Sequence, residues 1–222
     1  MNRQAKIFQK KVSNVFAETS KFLFISVDLE LQTKKTKDLL KLKDEASYIK
    51  SEAIEKQDED SANALLSMES IIEALIDELR MWVALKKDDP NKAWDFLVNA
   101  QYATRQALQA HNLLKRFHAV SYCKRLYLLE KLLFPPQFFF SPCFIIERAE
   151  CSICGSEYGK CNHVVGKAYM GKLCCRIIKE IKEIKEVSIV KAPANKHNRI
   201  MCFSNGKHMK DTMTLRNCER GK

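Results

Sequence analysis

Apolar residues recur at helical spacing through most of the first 133 positions. Residues 4–35 place Ile7, Val15, Phe22 and Leu29 seven apart, with Phe8, Val12, Phe16 and Leu23 beside them. This is the period of one amphipathic helix. The run FLFISV inside it is apolar enough for a strand, but its flanks keep the helical period. Residues 36–57 repeat the pattern more weakly through Leu39, Leu40, Leu42, Ala46, Ile49 and Ala53.

The clearest helix spans 61–87, with Ser61 as its expected N-cap. Leu65, Met68, Ile72, Leu75, Leu79 and Trp82 alternate steps of three and four, and Ile71, Ile76 and Val83 widen that stripe. A stripe broader than a coiled-coil seam belongs in the middle of a bundle. The sequence KKDDP closes this helix, with Asp89 placed to cap the next one and Pro90 suited to its first turn. Residues 90–111 then bury Trp94, Leu97, Val98, Tyr102 and Leu108, with alanines that allow a close neighbour. Residues 112–133 either continue this helix or restart as another.

Phe134-Pro135-Pro136 ends the helical pattern. Beyond it the period shortens. Phe144–Arg148, Val187–Val190, Arg199–Phe203 and Thr212–Arg216 are strand candidates by alternation and β-branched content. Ser204-Asn205-Gly206-Lys207 has the Asn-Gly pair of a tight turn and is expected to join the last two strands. Lys172–Glu186 carries Ile177, Ile178, Ile181 and Ile184 at helical spacing, so a short helix is expected, with an irregular strand as the alternative. The fold class is therefore α+β. An antiparallel helical bundle occupies residues 1–133, and a small β-rich module occupies 134–222.

Charge sharpens this division. Residues 1–58 carry 12 basic and 9 acidic side chains, residues 59–112 carry 5 and 9, and residues 113–222 carry 21 and 9. The net charge of +11 thus resides in the C-terminal half. A basic module of this kind binds nucleic acid or an acidic protein surface through counterion release, or is simply a lysine-rich solvated face. Glu69, Glu73 and Asp77 align on one helical ridge and read as a solvated acidic face. His111 and His118 are seven apart without a third ligand, and read as surface or packing histidines. No Gly-rich phosphate loop is present, since no glycine precedes Gly155.

The chemistry lies in the cysteines. Eight of nine fall between Cys143 and Cys218. No secretory pattern opens the chain, and the most apolar short run contains three prolines, so a reducing cytoplasm without membrane insertion is expected. There, clustered cysteines signal metal rather than disulfides. Cys151-x2-Cys154-x6-Cys161-x-His163 is a zinc-finger-like set of four ligands in a 13-residue span. The first pair is brought together by a two-residue turn that Gly155 relieves. The second comes from residues two apart on an extended arm. Thiolate and imidazole are the donors that structural Zn2+ prefers, and four of them leave no open position for catalysis. Cys174 is an alternative fourth ligand. No catalytic or organic-cofactor residues are proposed.

The pattern C-x2-C-x6-C-x-H-x2-G-x2-Y-x-G-x2-C from Cys151 to Cys174, followed by Glu186–Ala194 (EVSIVKAPA), resembles the Cys/His insert of phage prohead (head-maturation) protease-like proteins. The resemblance covers roughly residues 141–200. It implies a reused zinc-stabilised β module of phage, prophage or bacterial-defence origin. It also brings in a divergent serine hydrolase, with Ser141 or Ser188 as nucleophile, as the alternative to a binding protein. The protease family places most of its barrel before the insert, where this chain has helices. The leading expectation is a non-enzymatic adaptor. Its bundle contacts a protein partner or a second copy, and its basic zinc module binds nucleic acid or a partner protein.

Overall fold

The computed structural model describes residues 1–113 and 119–218. Five helices come first: α1 (Arg3–Thr19), α2 (Leu29–Glu55), α3 (Glu59–Lys86), α4 (Pro90–Ala110) and α5 (Ala119–Leu133). Six strands follow: β1 (Phe139–Cys151), β2 (Ala168–Tyr169), β3 (Lys172–Leu173), β4 (Arg176–Val190), β5 (Cys202–Ser204) and β6 (Met209–Asp211).

The single helix expected over 4–35 is two helices. α1 ends at Thr19, a 3-10 turn covers Ser20–Phe22, and the FLFISV run is a loop. Local polar groups outweigh the apolar period here. The Asp28 carboxylate caps α2 by accepting from the N–H groups of Glu30 and Leu31. The Gln32 amide donates to the carbonyls of Phe22 and Phe24, and Lys86 reaches the carbonyl of Val27. Leu23 is buried, whereas Phe24 and Ile25 are about half exposed at 53% each.

α3 is the axis of the helical part. It packs against α2, α4 and α1, and the seam residues Leu65, Met68, Ile72, Leu75 and Leu79 are all fully buried. Its cap is Asp58 rather than the expected Ser61. The Asp58 carboxylate accepts from Ser61 N–H, and the Ser61 hydroxyl accepts from Asn2 N–H. The acidic ridge is also not a solvated face. Glu69 pairs with Lys50 and Ser47, Glu73 pairs with Lys43, and Asp77 lies buried beside Arg80. Lysines of α2 thus stitch the ridge to its neighbour. α4 carries the expected Asp89 cap and Pro90 at its start. It ends at Ala110, where His111 is extended with φ −157°, so no continuous helix runs from 90 to 133. His111 meets Asp60 at 3.2 Å, while His118 lies outside the described residues.

α5 stops one residue before Phe134-Pro135-Pro136, as expected. β1 and β4 then form a long antiparallel ribbon, and β2–β3 and β5–β6 form two short hairpins. Asn205–His208 joins β5 to β6 as the Asn-Gly pair foretells. Thr212–Arg216, expected as a strand, is a turn instead. The Asp211 carboxylate gathers the N–H groups of Met213 and Thr214 and so closes the chain on itself.

The segment Lys172–Glu186 is extended from Arg176 onward, not helical. Its triplet repeat Ile-Lys-Glu suits neither a plain helix nor a plain strand, and bulges resolve the conflict. In the register with β1, Lys179, Lys182 and Lys185 have no partner residue. Extruding one residue of three places Ile184 opposite Phe144 and Ile181 opposite Ile146. Nearer the base, Phe140 faces Ile189 and Pro142 faces Val187. Since Phe140, Pro142, Phe144 and Ile146 alternate along β1, one face of the ribbon is apolar along most of its length.

Both ends of this ribbon are tied to the helices. At its base Trp94 lies between Phe134 and Phe139, with ring centroids 5.4 and 6.0 Å away, and the Arg199 guanidinium lies over the indole. Arg199 also donates to Gln137, Thr212 and Asn91. At the far end the Asn63 side chain of α3 accepts from Gly171 N–H and donates to the Ala168 carbonyl. Gly171 has φ +74°, and a Cβ there would meet Ile54 and Lys50 at 3.3 Å.

Candidate metal centre

The ribbon's far end carries the cysteine-rich loop. β1 ends at Cys151, β4 begins one residue after Cys175, and residues 152–175 form the connection. Cys151 opens a tight turn in which Gly155 N–H donates to the Cys151 carbonyl at 2.9 Å. Gly155 has φ +72°, the left-handed conformation that a side chain resists. Ile153 N–H points at the Cys151 sulfur at 3.5 Å, the arrangement that supports a thiolate. The loop then returns through Gly159, and residues 161–163 lie in a bend rather than on the extended arm expected for them.

The ligand atoms of Cys151, Cys154, Cys161 and His163 all lie within 4.8 Å of one another. A tetrahedral shell with metal–sulfur bonds of about 2.3 Å spaces its donors by about 3.8 Å. The four groups expected from the sequence are therefore brought together at a spacing that can hold a metal ion. The electrostatics agree. Burial pushes the Cys151 thiol up, yet the N–H groups of Cys154 and Ile153 and the thiols of Cys161 and Cys174 hold it down to about 7. The Ser156 hydroxyl and N–H lower the Cys154 thiol in the same way. His163 supplies the most direct indication. Its Nδ1 is buried without a hydrogen-bond partner, while its ring meets Tyr169 edge-on at 4.7 Å. A buried imidazole nitrogen with no protein partner fits coordination.

Cys174 stands outside this group of four. Its sulfur is 3.8 Å from that of Cys151, and burial together with that neighbour pushes its thiol up to about 11. Its N–H donates to the Lys167 carbonyl and its carbonyl accepts from Gly166 N–H. Cys175 is exposed. Cys202 and Cys218, which the sequence reading counted among reduced thiols, are joined by a disulfide that brackets the β5–β6 hairpin. Spacing gives no sign of this pair. It arises because the turn after β6 brings the chain back along β6, where Asn217 bridges Lys210 and Cys218 N–H donates to the Met209 carbonyl.

The two serines considered as nucleophiles face each other across the ribbon, Ser141 opposite Ser188. Ser188 donates to Glu186, and among the described residues neither serine hydrogen-bonds a histidine. Sequence reasoning missed Asn63 and Arg199, the two polar anchors that fix the loop and the ribbon base to the helices. An isolated Asn in a helix and an Arg in a basic stretch carry no pattern that would single them out.

No helix among the described residues is long and apolar enough to cross a membrane. The chain matches no family model, no curated protein and no solved structure in comparisons with known proteins.

Proposed function

We propose that the protein is a non-enzymatic adaptor whose C-terminal half is stapled by a structural Zn2+ held by Cys151, Cys154, Cys161 and His163. The observation that carries this reading is the donor set itself: three thiols and one imidazole, mutually within 4.8 Å. Three sulfurs and one nitrogen select zinc over the hard cations, which take oxygen donors. Four protein ligands fill the tetrahedron, so the ion orders the loop rather than activating water. The helical part serves as the scaffold, with the zinc loop holding the end of the ribbon on it.

The basic surplus of the C-terminal half, 21 cationic against 9 anionic side chains from residue 113 onward, makes nucleic acid the partner class for this module. Some of that charge is spent internally, since Lys196 pairs with Glu130, Arg216 with Asp88 and Lys179 with Glu150. Lys191, Lys207 and Lys210 have no carboxylate within ion-pair reach among the described residues.

Metal analysis of the purified chain tests the staple, with about one zinc per chain as the expected result. Cys154→Ser removes the zinc and Cys143→Ser keeps it. A chain that purifies without metal, or a Cys154→Ser variant that retains it, rules the staple out. For the partner class, fluorescence anisotropy with a labelled oligonucleotide is read at low and moderate salt. Binding that falls steeply with salt supports nucleic acid. Absent or salt-insensitive binding retires it and leaves the adaptor reading to protein partners.

A further inference from the structure

We infer that the free edge of β4 is a homotypic interface, along which two copies of this chain pair as antiparallel strands about Ile181.

The ribbon has two edges, and they are not alike. The outer edge of β1 is occupied at both ends, where Phe139 bridges Arg199 and Glu150 bridges Glu157. Pro142, which has no N–H to offer, interrupts it between those points. The outer edge of β4 is open. Every residue from Arg176 to Val187 is exposed, and among the described residues no backbone hydrogen bond outside the ribbon ladder involves β4. A row of unpaired backbone groups of this length is a template for another strand.

Lysines on an edge ordinarily repel a second strand. Here each lysine is followed by a glutamate, and the order decides the outcome. Two antiparallel strands related by a two-fold axis perpendicular to their sheet place residue i opposite residue j with i and j in equal steps either side of the centre. With the centre at Ile181, Glu180 lies opposite Lys182 of the second copy and Arg176 opposite Glu186, while Lys179 and Glu183, which within one chain pair with Glu150 and Lys185, lie opposite each other. Each pairing occurs twice. Ile181 meets its own counterpart, and Ile178 meets Ile184. Ile177 opposite Lys185 is the one mismatch within the span Arg176–Glu186. Opposite charges and like apolar groups directly across a ladder are the pairs that stabilise it. Moving the centre to Lys182 instead sets Lys182 against itself and Lys179 against Lys185, so the triplet repeat favours a centre on an isoleucine, Ile181 or its equivalent Ile184, over one on a lysine.

The lone ribbon also has a reason to pair. A two-stranded sheet is marginal in water, and three or more strands with a shared apolar face are not. Because a perpendicular two-fold axis keeps faces together, pairing joins the apolar faces of both ribbons into one four-stranded surface. Ile181, Ile184 and Val187, now 47%, 64% and 58% exposed, lie at its centre. The occupant is a second copy because the complementarity is that of β4 with itself.

Sedimentation equilibrium on the full chain tests this, with circular dichroism to establish that each variant is folded. Wild type is a dimer whose dissociation constant rises with salt. Lys179→Glu and Glu183→Lys each set like charges across the two-fold axis and weaken the dimer roughly tenfold. The double variant restores wild-type affinity, and an equimolar mixture of the single variants forms heterodimers. A chain that stays monomeric through the micromolar range overturns the inference. A dimer indifferent to Lys179→Glu overturns the β4 geometry, since another surface must then hold it. Failure of the double variant to rescue excludes the register about Ile181. These outcomes are independent of zinc content and oligonucleotide binding.

Discussion

The helical part and the ribbon module solve the same problem by opposite means. α3 buries most of its surface, from Ala62 through Ala84, in a continuous apolar core shared with α1, α2, α4 and α5. Beyond Phe134 the buried apolar side chains are Phe139, Ala149, Cys151 and Cys174. One of those, Cys151, belongs to the candidate metal cluster, and another, Cys174, lies beside it. One half is held by packing, whereas the other is held by point attachments: a cluster of four candidate metal ligands, one disulfide, a guanidinium over an indole and an asparagine on a glycine. A packed core spreads its stability over dozens of contacts. Point attachments concentrate it in a few residues whose loss releases a whole segment.

The sharpest way to expose that contrast is to remove the zinc proposed for the Cys/His cluster. Structural zinc contributes on the order of 10 kcal/mol to the folding of small zinc modules. Chelation is expected to abolish hydrogen-exchange protection across residues 151–175 while the helical circular dichroism persists. Loss of both signals together would erase the distinction between the halves.

A core truncation acts in the other direction. Leu75→Ala removes a side chain that is 1% exposed on the central helix, and costs about 2–5 kcal/mol in denaturant melts. Zinc content at temperatures below the melt is expected to stay at the wild-type level.

Asp77 sets a pH dependence that belongs to the helices alone. Burial, reinforced by Glu73, raises its carboxyl to about 6 from its ordinary value of 3.8. Between those two values the folded chain holds a proton that the unfolded chain has released. Stability from this group therefore falls as pH rises through that window, and the penalty is fully present at neutral pH. Asp77→Asn is expected to flatten the slope between pH 4 and 6 and to stabilise the chain at pH 7 by about 1–3 kcal/mol. Melts across that pH range check both. Glu78, also raised by burial, is met by Arg125 at 2.6 Å and keeps its partner in this variant.

The smallest effect falls on the ribbon. Ile184→Ser changes a residue that is 64% exposed, and the stability of the single chain should move by less than about 0.5 kcal/mol. An isoleucine in α3 would not behave this way.

The same contrast governs what could be read from the residues alone. The helix pattern of α3 and α4, the Asp89-Pro90 junction and the double-proline stop were legible because each rests on short-range chemistry. The clustering of Cys151, Cys154, Cys161 and His163 was legible for the same reason, since it rests on a local motif. What escaped was decided at a distance or by competition. Leu23–Val27 keep an apolar period, but Gln32 and Lys86 bind their carbonyls and hold them in a loop. Asp58 outcompetes Ser61 as a cap because Asn2, far away in sequence, occupies the serine hydroxyl. Ile177 to Ile184 recur at a spacing that fits a helix, and only pairing with β1, with a lysine extruded at each of three bulges, makes a strand of them. The Cys202–Cys218 link could not be seen because it depends on the fold of the final turn.

Placing the metal loop at the far end of the ribbon also sets an order of events. Phe139 and Val190, which pair at the base, are separated by the whole ribbon and loop, whereas Cys151 and Arg176 are joined by the loop alone. Closing the shorter connection costs less chain entropy, and a metal that gathers Cys151, Cys154, Cys161 and His163 shortens it further. The strands should then zip from the metal end toward Trp94, after the local contacts of the helices have formed. During synthesis the cysteine loop emerges before β4 exists. A loop that gathers an ion in this way would close first and wait as the starting point for a strand not yet made.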